Sequence, residues 1–307
     1  MLNIGLLGAD LTGKQHAQAI QTVNSLRLSG IFSPETEEAK KLAHELGVPI
    51  FSSPQELMQV SDALDITLSD DSLLPMIPAF VKASRHLFIN PYFFKSLLLG
   101  ENLWKLAQEA KVKVQVGCIE RFHSALLTAR PFIDNPVFIE AQHGVPYLPE
   151  FAGKSVVEEL MNRDIDIILS LINANIKRVH ATGINVFGDT PDIVNAHLEF
   201  DNGTTVNLTA NRIAGENIRR FQFYKHYSRV ETDLIHPSTH IFEKKNDQFS
   251  VKELNTPPNR PLTEALNAFY QSIFYNSEPP VGISEICQAQ KITHMISDKI
   301  EMISKAG

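Results

Sequence analysis

The sequence predicts an α/β protein: a doubly wound parallel sheet at the N-terminus, then an α/β domain with an open, mainly antiparallel sheet. Three observations predict it. Strands and helices alternate regularly from Leu2 to Ile119. A glycine turn, Gly8 to Gly13, joins the first strand to the first helix. After Phe122 the chain turns to strands with turn residues between them.

The elements follow in order. "LNIGLLGA" reads as an apolar strand, and Lys14 to Val23 has helical spacing. "RLSGIFS" is the next strand, with a helix over Glu35 to Glu45. "PIFSS" is a short strand, and Pro54 to Val60 a short helix. "ALDITLS" is a strand, followed by a helix from Leu74 to Ala83. "RHLFIN", a helix over Leu97 to Ala110, and "KVQVGCI" complete the alternation. Such βα repetition requires a parallel sheet covered on both faces.

The second half begins with a helix over His123 to Phe132 and the strand "VFIEAQHG". Val156 to Leu171 has apolar residues at helical spacing. "RVHATGINVFG", "IVNAHLEFDNGTTVNLTANRI", "RRFQFYKHYSRVETDL" and "THIFEKKNDQFSVKEL" alternate as strands, with a hairpin signal at Asp201 to Gly203. "NTPPNRP" breaks the pattern, and helices close the chain from Leu262 to Ile303. The expected domains are 1–122 and 123–307, with the final helices packing back on the first.

Bulk properties narrow the function classes. The chain has 307 residues, enough for two domains that each bury a core. Apolar residues make up 43% and charged residues 21%, and the net charge is −7 without a basic block. A broad phosphate footprint is therefore not expected, which argues against nucleic acid. Cys118 and Cys287 match no metal spacing and no disulfide framework, so no metal is expected and a reducing cytoplasm is the simplest reading. No signal peptide and no membrane-length apolar run is recognised.

Several strings in their order resemble the Gfo/Idh/MocA family of oxidoreductases. They are "IGLLGADLTGKQHAQAI", "EEAKKLAHELGVPIFSSPQELM", "VGCIERF", "EELMNRDIDIILSLI", "HLEFDNGTTVNL" and "SEPPVGISEICQAQKI". The resemblance covers nearly the whole chain. It implies an N-terminal Rossmann domain and a C-terminal α/β domain on an open antiparallel sheet. It also implies NAD or NADP as cofactor, a sugar or nucleotide-sugar-like ligand, and a homodimer or homotetramer formed through the open sheet face. Gly8, Asp10, Leu11, Thr12, Gly13, Ser33, Asn90 and Arg121 fall at cofactor positions. Tyr92, Lys95, Arg163, Asp166 and His123 are the candidate catalytic residues.

The site departs from the family pattern at specific places. Gly8 and Gly13 keep the tight turn and the close helix packing, but Asp10 stands where a glycine lets the backbone approach the pyrophosphate. Either the turn survives as a fold element only, or the helix N-terminus still draws an anion. The second strand ends at Ser33 rather than at an acidic residue; Ser33 is expected to cap the next helix with Pro34 in its first position, and with Thr36 it could also bond a 2′-phosphate.

The resemblance puts Pro91 at the family lysine, leaving Tyr92 or Lys95 as neighbouring substitutes. It puts Arg163 at the family histidine, beside Asp164, with Asp166 retained and Glu159 at the preceding aspartate. Arginine stays protonated and cannot act as a base. Arg163 is either the partner of Glu159 one turn back or a grip for an anionic ligand. His123 is the best of the scattered histidines as an unorthodox base. Two functions follow: a divergent NAD(P)-dependent oxidoreductase, or a non-catalytic binding or regulatory protein, a pseudoenzyme, that keeps the fold.

Overall fold

The computed structural model describes residues 1–68, 70–94, 97–149, 153–187, 189–246 and 248–305. Contacts divide the chain into two compact units: Met1–Ile119 with Pro261–Cys287, and Glu120–Arg260 with Gln288–Gly307.

The chain opens with β1 (Leu2–Leu7), α1 (Leu11–Thr22), β2 (Leu26–Phe32), α2 (Thr36–Leu46) and α3 (Pro54–Gln59). Then come β3 (Ala63–Ile66), α4 (Ile77–Lys82), β4 (His86–Ile89), α5 (Leu97–Ala110) and β5 (Val114–Val116). The second half runs through α6 (Ser124–Ala129), β6 (Phe138–Gly144), α7 (Asn162–Leu169), β7 (Ile176–Ile184), β8 (Ile193–Phe200) and β9 (Thr205–Asn211). It ends with β10 (Ile218–Lys225), β11 (Ser228–Asp233), β12 (Ser238–Lys245), β13 (Gln248–Leu254), α8 (Pro261–Phe274) and α9 (Ile283–Lys305).

In the first unit, five parallel strands lie in the order β2-β1-β3-β4-β5. All four residues of β3 and all three of β5 are buried, as expected when helices cover both faces. Helix α8 packs on this sheet: Phe269 meets Phe88 edge-on at 5.7 Å, and Gln115 Nε2 donates to the Ala265 carbonyl at 2.9 Å.

The second unit is built on an eight-stranded sheet, β13-β12-β11-β10-β6-β9-β8-β7. All its pairings are antiparallel except β6 with β9. Alternate residues face the core: Val194, Ala196, Leu198 and Phe200 on β8, and Val206, Leu208 and Ala210 on β9. Burying a side chain the size of Val or Leu contributes roughly 1.5–3 kcal/mol. The opposite face carries polar cross-strand rows. His180 pairs with His197, and His197 with Asn207. Nearer β12 the same face turns aromatic, with the Arg229 guanidinium 4.0 Å over the Phe242 ring.

A buried pair closes the β9 end of the sheet. Arg212 Nε bonds Asp192 Oδ1 at 2.5 Å, while its other nitrogens reach the Lys154 and Thr190 carbonyls. Burial by itself would raise the Asp192 pKa. The amides of Phe187 and Val186, with Arg212, hold it below its ordinary value.

Local chemistry moved several boundaries. Helix α1 begins at Leu11, ahead of the expected Lys14, because Asp10 caps it. "PIFSS" forms only an isolated bridge, Ile31 to Ile50. Pro49 accepts from the Ile31 amide but has no N–H to extend a ladder. The helix expected from Leu74 begins as α4 only at Ile77, with Pro78 in its first turn, where its missing N–H costs no hydrogen bond. The helix expected from Val156 opens as a π-turn over Val157–Met161 before α7. Among the described residues, no helix is long and apolar enough to cross a membrane.

Candidate active site

The first unit supplies a glycine turn. Gly8 has φ +135°, and a Cβ there would collide with Thr67 Oγ1. A Cβ on Gly13 would collide with the Gly8 carbonyl, so both positions need glycine for strand and helix to approach. Asp10 is exposed, with extended backbone, and its Oδ1 accepts from the Gly13 amide at 2.8 Å. An aspartate at this position is the preferred helix cap and stabilises by about 1 kcal/mol. The carboxylate therefore sits at the helix end that attracts anions. Leu11 and Thr12, the first residues of α1, have amides that precede the intrahelical ladder and can still donate. The turn fits a dinucleotide pyrophosphate in its backbone, with one negative charge against it.

Behind the turn lies His16. Its Nδ1 is 2.8 Å from Asp65 Oδ2, and its ring meets Phe88 edge-on at 5.9 Å. Asp65 has no solvent exposure, and its Oδ1 has no partner. Burial lowers the His16 pKa, but the charge and hydrogen bond of Asp65, with a contribution from Asp10, raise it above the ordinary value.

Ser33 is buried at the end of β2, and its hydroxyl has no partner. It does not cap α2, contrary to the expectation. That helix starts at Thr36, Glu35 is the cap residue without a side-chain cap bond, and Pro34 lies outside. Asn90 ties two strand ends together: its amide donates to Ile66 and its Nδ2 to the Thr67 carbonyl at 3.2 Å. Pro91 opens a short 3-10 turn, Pro91–Phe94, anchored by buried Phe93 and Phe94. Tyr92 is on that turn, but its side chain lies outside the described part of the structure, as does Lys95.

The second unit supplies a charged cluster around α7. Arg121 grips Asp166 bidentately, Nε to Oδ2 at 2.8 Å and Nη2 to Oδ1 at 2.5 Å, and both side chains are buried. Asp164 is held by Arg219 Nε at 3.0 Å and by His143 Nδ1 at 3.0 Å. Arg219 and His143 are direct cross-strand partners on β10 and β6. Arg163 is 57% exposed and bonds Glu120 Oε1 at 3.3 Å; Arg219 Nη1 lies 3.9 Å from the same oxygen.

The expected Glu159–Arg163 pair is not among the ion pairs of the structure. The π-turn ends between these residues, so they no longer have the one-turn offset of a continuous α-helix. Glu120 takes the place of Glu159.

His123 is not in hydrogen-bond contact with this cluster. It caps α6, with Nδ1 accepting from the Ala125 amide at 3.3 Å. Burial and the charge of Arg219 lower its pKa, against the opposing effects of the Leu234 backbone, Asp233 and Glu120. Sequence reasoning missed Glu120, Arg219 and His143. Arg219 and His143 could have been found as charged or titratable residues at inward positions of their strands.

A parallel sheet with a glycine turn at its first crossover, followed by an open antiparallel sheet, is the layout of a dinucleotide-binding oxidoreductase. Residues 2–118 match the Gfo/Idh/MocA family model, described as an oxidoreductase family with an NAD-binding Rossmann fold. Over those residues the chain is similar to the NAD-binding Rossmann domain of the Gfo/Idh/MocA oxidoreductases. It is 27% identical over 244 residues to a UDP-N-acetylglucosamine 3-dehydrogenase of Acidithiobacillus ferrooxidans, covering 79% of this chain and 77% of that one. A crystal structure of the UDP-N-acetylglucosamine 3-dehydrogenase of that organism superposes with a TM-score of 0.90 at 23% identity, covering 98% of each chain. A levoglucosan dehydrogenase in complex with NADH and L-sorbose superposes at 0.86 with 15% identity, covering 98% of this chain and 97% of the other.

The His16–Asp65 pair makes a pH prediction. The folded-state pKa of His16 is raised, so its stabilisation is complete below the unfolded value near 6.5 and is lost as pH rises through the folded value. Urea unfolding followed by Trp104, the single tryptophan, reports on this unit. Relative to His16→Gln, the wild type is expected to lose stability from neutral pH upward. Identical pH profiles would refute the assignment.

Proposed function

We propose that this protein is an NAD(P)-dependent oxidoreductase acting on a sugar or nucleotide-sugar ligand, without the family's lysine and histidine proton path. The observation that supports it best is the intact strand–glycine turn–helix within a segment that matches the NAD-binding family domain. Bound nicotinamide would supply the hydride acceptor. The amides of Leu11 and Thr12 would hold the pyrophosphate against the field of Asp10. Arg163, exposed beside Arg219, would grip an anionic group of the ligand such as a sugar-nucleotide diphosphate. Arg121 and Asp166 would hold α7 in place beneath it. Neither Pro91 nor Arg163 can accept the hydroxyl proton, so that task falls to Tyr92, Lys95 or His123.

A screen of sugars and nucleotide sugars with both nicotinamide cofactors tests this, with UDP-N-acetylglucosamine first because a relative carries that activity in its name. Turnover is expected, lowered by about 10² to 10⁴ when the proton acceptor is removed. Turnover that survives Tyr92→Phe, Lys95→Ala and His123→Ala would overturn the proton assignment. A ligand bound without turnover would favour the second reading, a non-catalytic binding protein. The replacement of both proton-transfer positions by Pro91 and Arg163 supports that reading.

Cofactor binding is expected to be weak. A carboxylate about 5 Å from a phosphate charge costs on the order of 3 kcal/mol at an effective dielectric of ~20. Asp10→Gly should tighten NADH binding by up to that amount in a calorimetric titration. An unchanged affinity would show that Asp10 points away from the cofactor.

The open face of the second unit's sheet is proposed as the subunit contact of a homodimer or homotetramer. Its outward polar rows and the aromatic stretch near Phe242 suit a self-complementary, isologous contact. Light scattering is expected to return a dimer or tetramer; a monomer at micromolar concentration would remove the assignment.

A further inference from the structure

We propose that β13, at the edge of the large sheet, is a second subunit contact, distinct from the sheet's open face. It pairs edge to edge with β13 of a second copy, antiparallel, with Val251 opposite Val251. The contact needs nothing from the first unit and is independent of the nicotinamide site.

β13 is the last strand of its sheet, and among the described residues it pairs only with β12. It overhangs the core. The other edge strand, β7, buries Val179 and Ala181, whereas every residue from Gln248 to Glu253 is exposed. Phe249 is 82% exposed and Val251 61%. They stand on the open-face side, beside Lys244 and Phe242. Gln248, Ser250 and Lys252 stand on the other side, following the row of buried Ile241. A strand with both faces and one edge in water gains little from its own sheet. Natural edges are commonly blunted by a proline, a bulge or a short strand. β13 has seven residues, and neither a proline nor a register shift interrupts it.

The direction of its backbone groups follows from the neighbouring strands. The Lys244 amide donates to the Tyr227 carbonyl at 2.9 Å, on the β11 side and away from β13. In an antiparallel ladder, opposite residues alternate between bonded and non-bonded pairs. Lys244 and Phe249 are direct partners, so theirs is a non-bonded pair. Phe242 with Val251 and His240 with Glu253 repeat it along the ladder. The amides and carbonyls of Phe249, Val251 and Glu253 therefore face outward, beyond the last strand of the sheet.

A second copy fits that row with Val251 on the two-fold axis. Val251 then opposes Val251, and Phe249 opposes Glu253 in both directions. All the outward residues find bonded partners. Ser250 opposes Lys252 and Gln248 opposes Leu254, so no like charges meet. Moving the axis to Lys252 would set lysine against lysine. Moving it to Ser250 would push Glu253 past the end of the opposing strand, which starts at Gln248. The charges also match across the contact. The Lys244 ammonium lies 6.0 Å over the Phe249 ring. Glu253 of the second copy enters directly opposite that ring, with a carboxylate for the ammonium. The pairing is isologous, so each such contact occurs twice.

The test uses the full chain at micromolar concentration, with light scattering for the mass and circular dichroism for the fold. Val251→Pro removes an outward amide that β12 does not use. Val251→Lys keeps that amide and sets two ammoniums opposite each other. Each is expected to halve the mass of the wild-type assembly, leaving the contact through the sheet's open face. Cysteine oxidation reads the register. Opposite residues of a bonded pair lie about 5.5 Å apart at Cα, within disulfide reach. Cys118 and Cys287 are buried, so an introduced thiol reports on the edge. Val251→Cys is expected to cross-link into a covalent dimer. Phe249→Cys is not, because its two copies lie ~14 Å apart. A mass unchanged by both Val251 substitutions, or cross-linking of Phe249→Cys but not of Val251→Cys, overturns the edge pairing and leaves the open-face contact standing. A monomeric wild type removes both contacts.

Discussion

Buried charge needs a partner, and the positions of the second unit's helices follow from that constraint. Asp164, Asp166 and Asp192 have almost no contact with solvent. An isolated ionised carboxylate in such a place is prohibitive. Each is met by a cation or imidazole from a different element. Asp164 fastens α7 to β6 and β10 through His143 and Arg219. Asp166 fastens the same helix to the segment after β5 through Arg121. Asp192 fastens the loop before β8 to the end of β9 through Arg212. In the first unit, Asp65 and His16 do the same for β3 and α1. Such pairs are not strong net stabilisers, but removing one member leaves the other uncompensated, at a cost of about 3–5 kcal/mol.

The chemistry of the two units differs in what was kept. The glycine turn keeps its shape, because Gly8 and Gly13 are required by contact with Thr67 and with each other. Asp10 adds a charge without disturbing that shape, since it takes up the cap bond that the helix needs. On α7 the retained aspartates are all engaged, while the replaced position, Arg163, is the exposed one. At both places the departures from the family pattern, Asp10 and Arg163, are exposed, while Gly8, Gly13 and Asp166 are held in contacts within their own unit.

Much of the fold was legible because it rests on local patterns. Parallel strands covered on both faces read as short apolar runs, and those of the second sheet as strict alternations that match the observed inward and outward faces. The hairpin at Asp201–Gly203 was legible from its turn residues. What was not legible depended on partners distant in sequence, or on one residue read in the wrong role. Asp10 was weighed as a lost glycine, and its capping of α1 was missed. Ser33 was expected as a cap, but the helix starts later. For Arg163, helical periodicity offered Glu159 as one of two readings, and a π-turn interrupts that periodicity. Glu120 and Arg219 come from other elements, and no spacing rule links them to Arg163.

The one parallel pairing in the large sheet bears on how the chain is assembled. β7, β8 and β9 form one meander, and β10 to β13 form another; every pairing inside each is between chain neighbours. β9 and β10 are consecutive in the chain but do not touch as strands, because β6 lies between them. Both pairings of β6 therefore join segments far apart in sequence. The entropy of loop closure is concentrated on that one strand, which ties the two halves of the sheet together. His143, the partner of Asp164, rides on the same strand, so the charged cluster is complete only once the sheet itself is continuous.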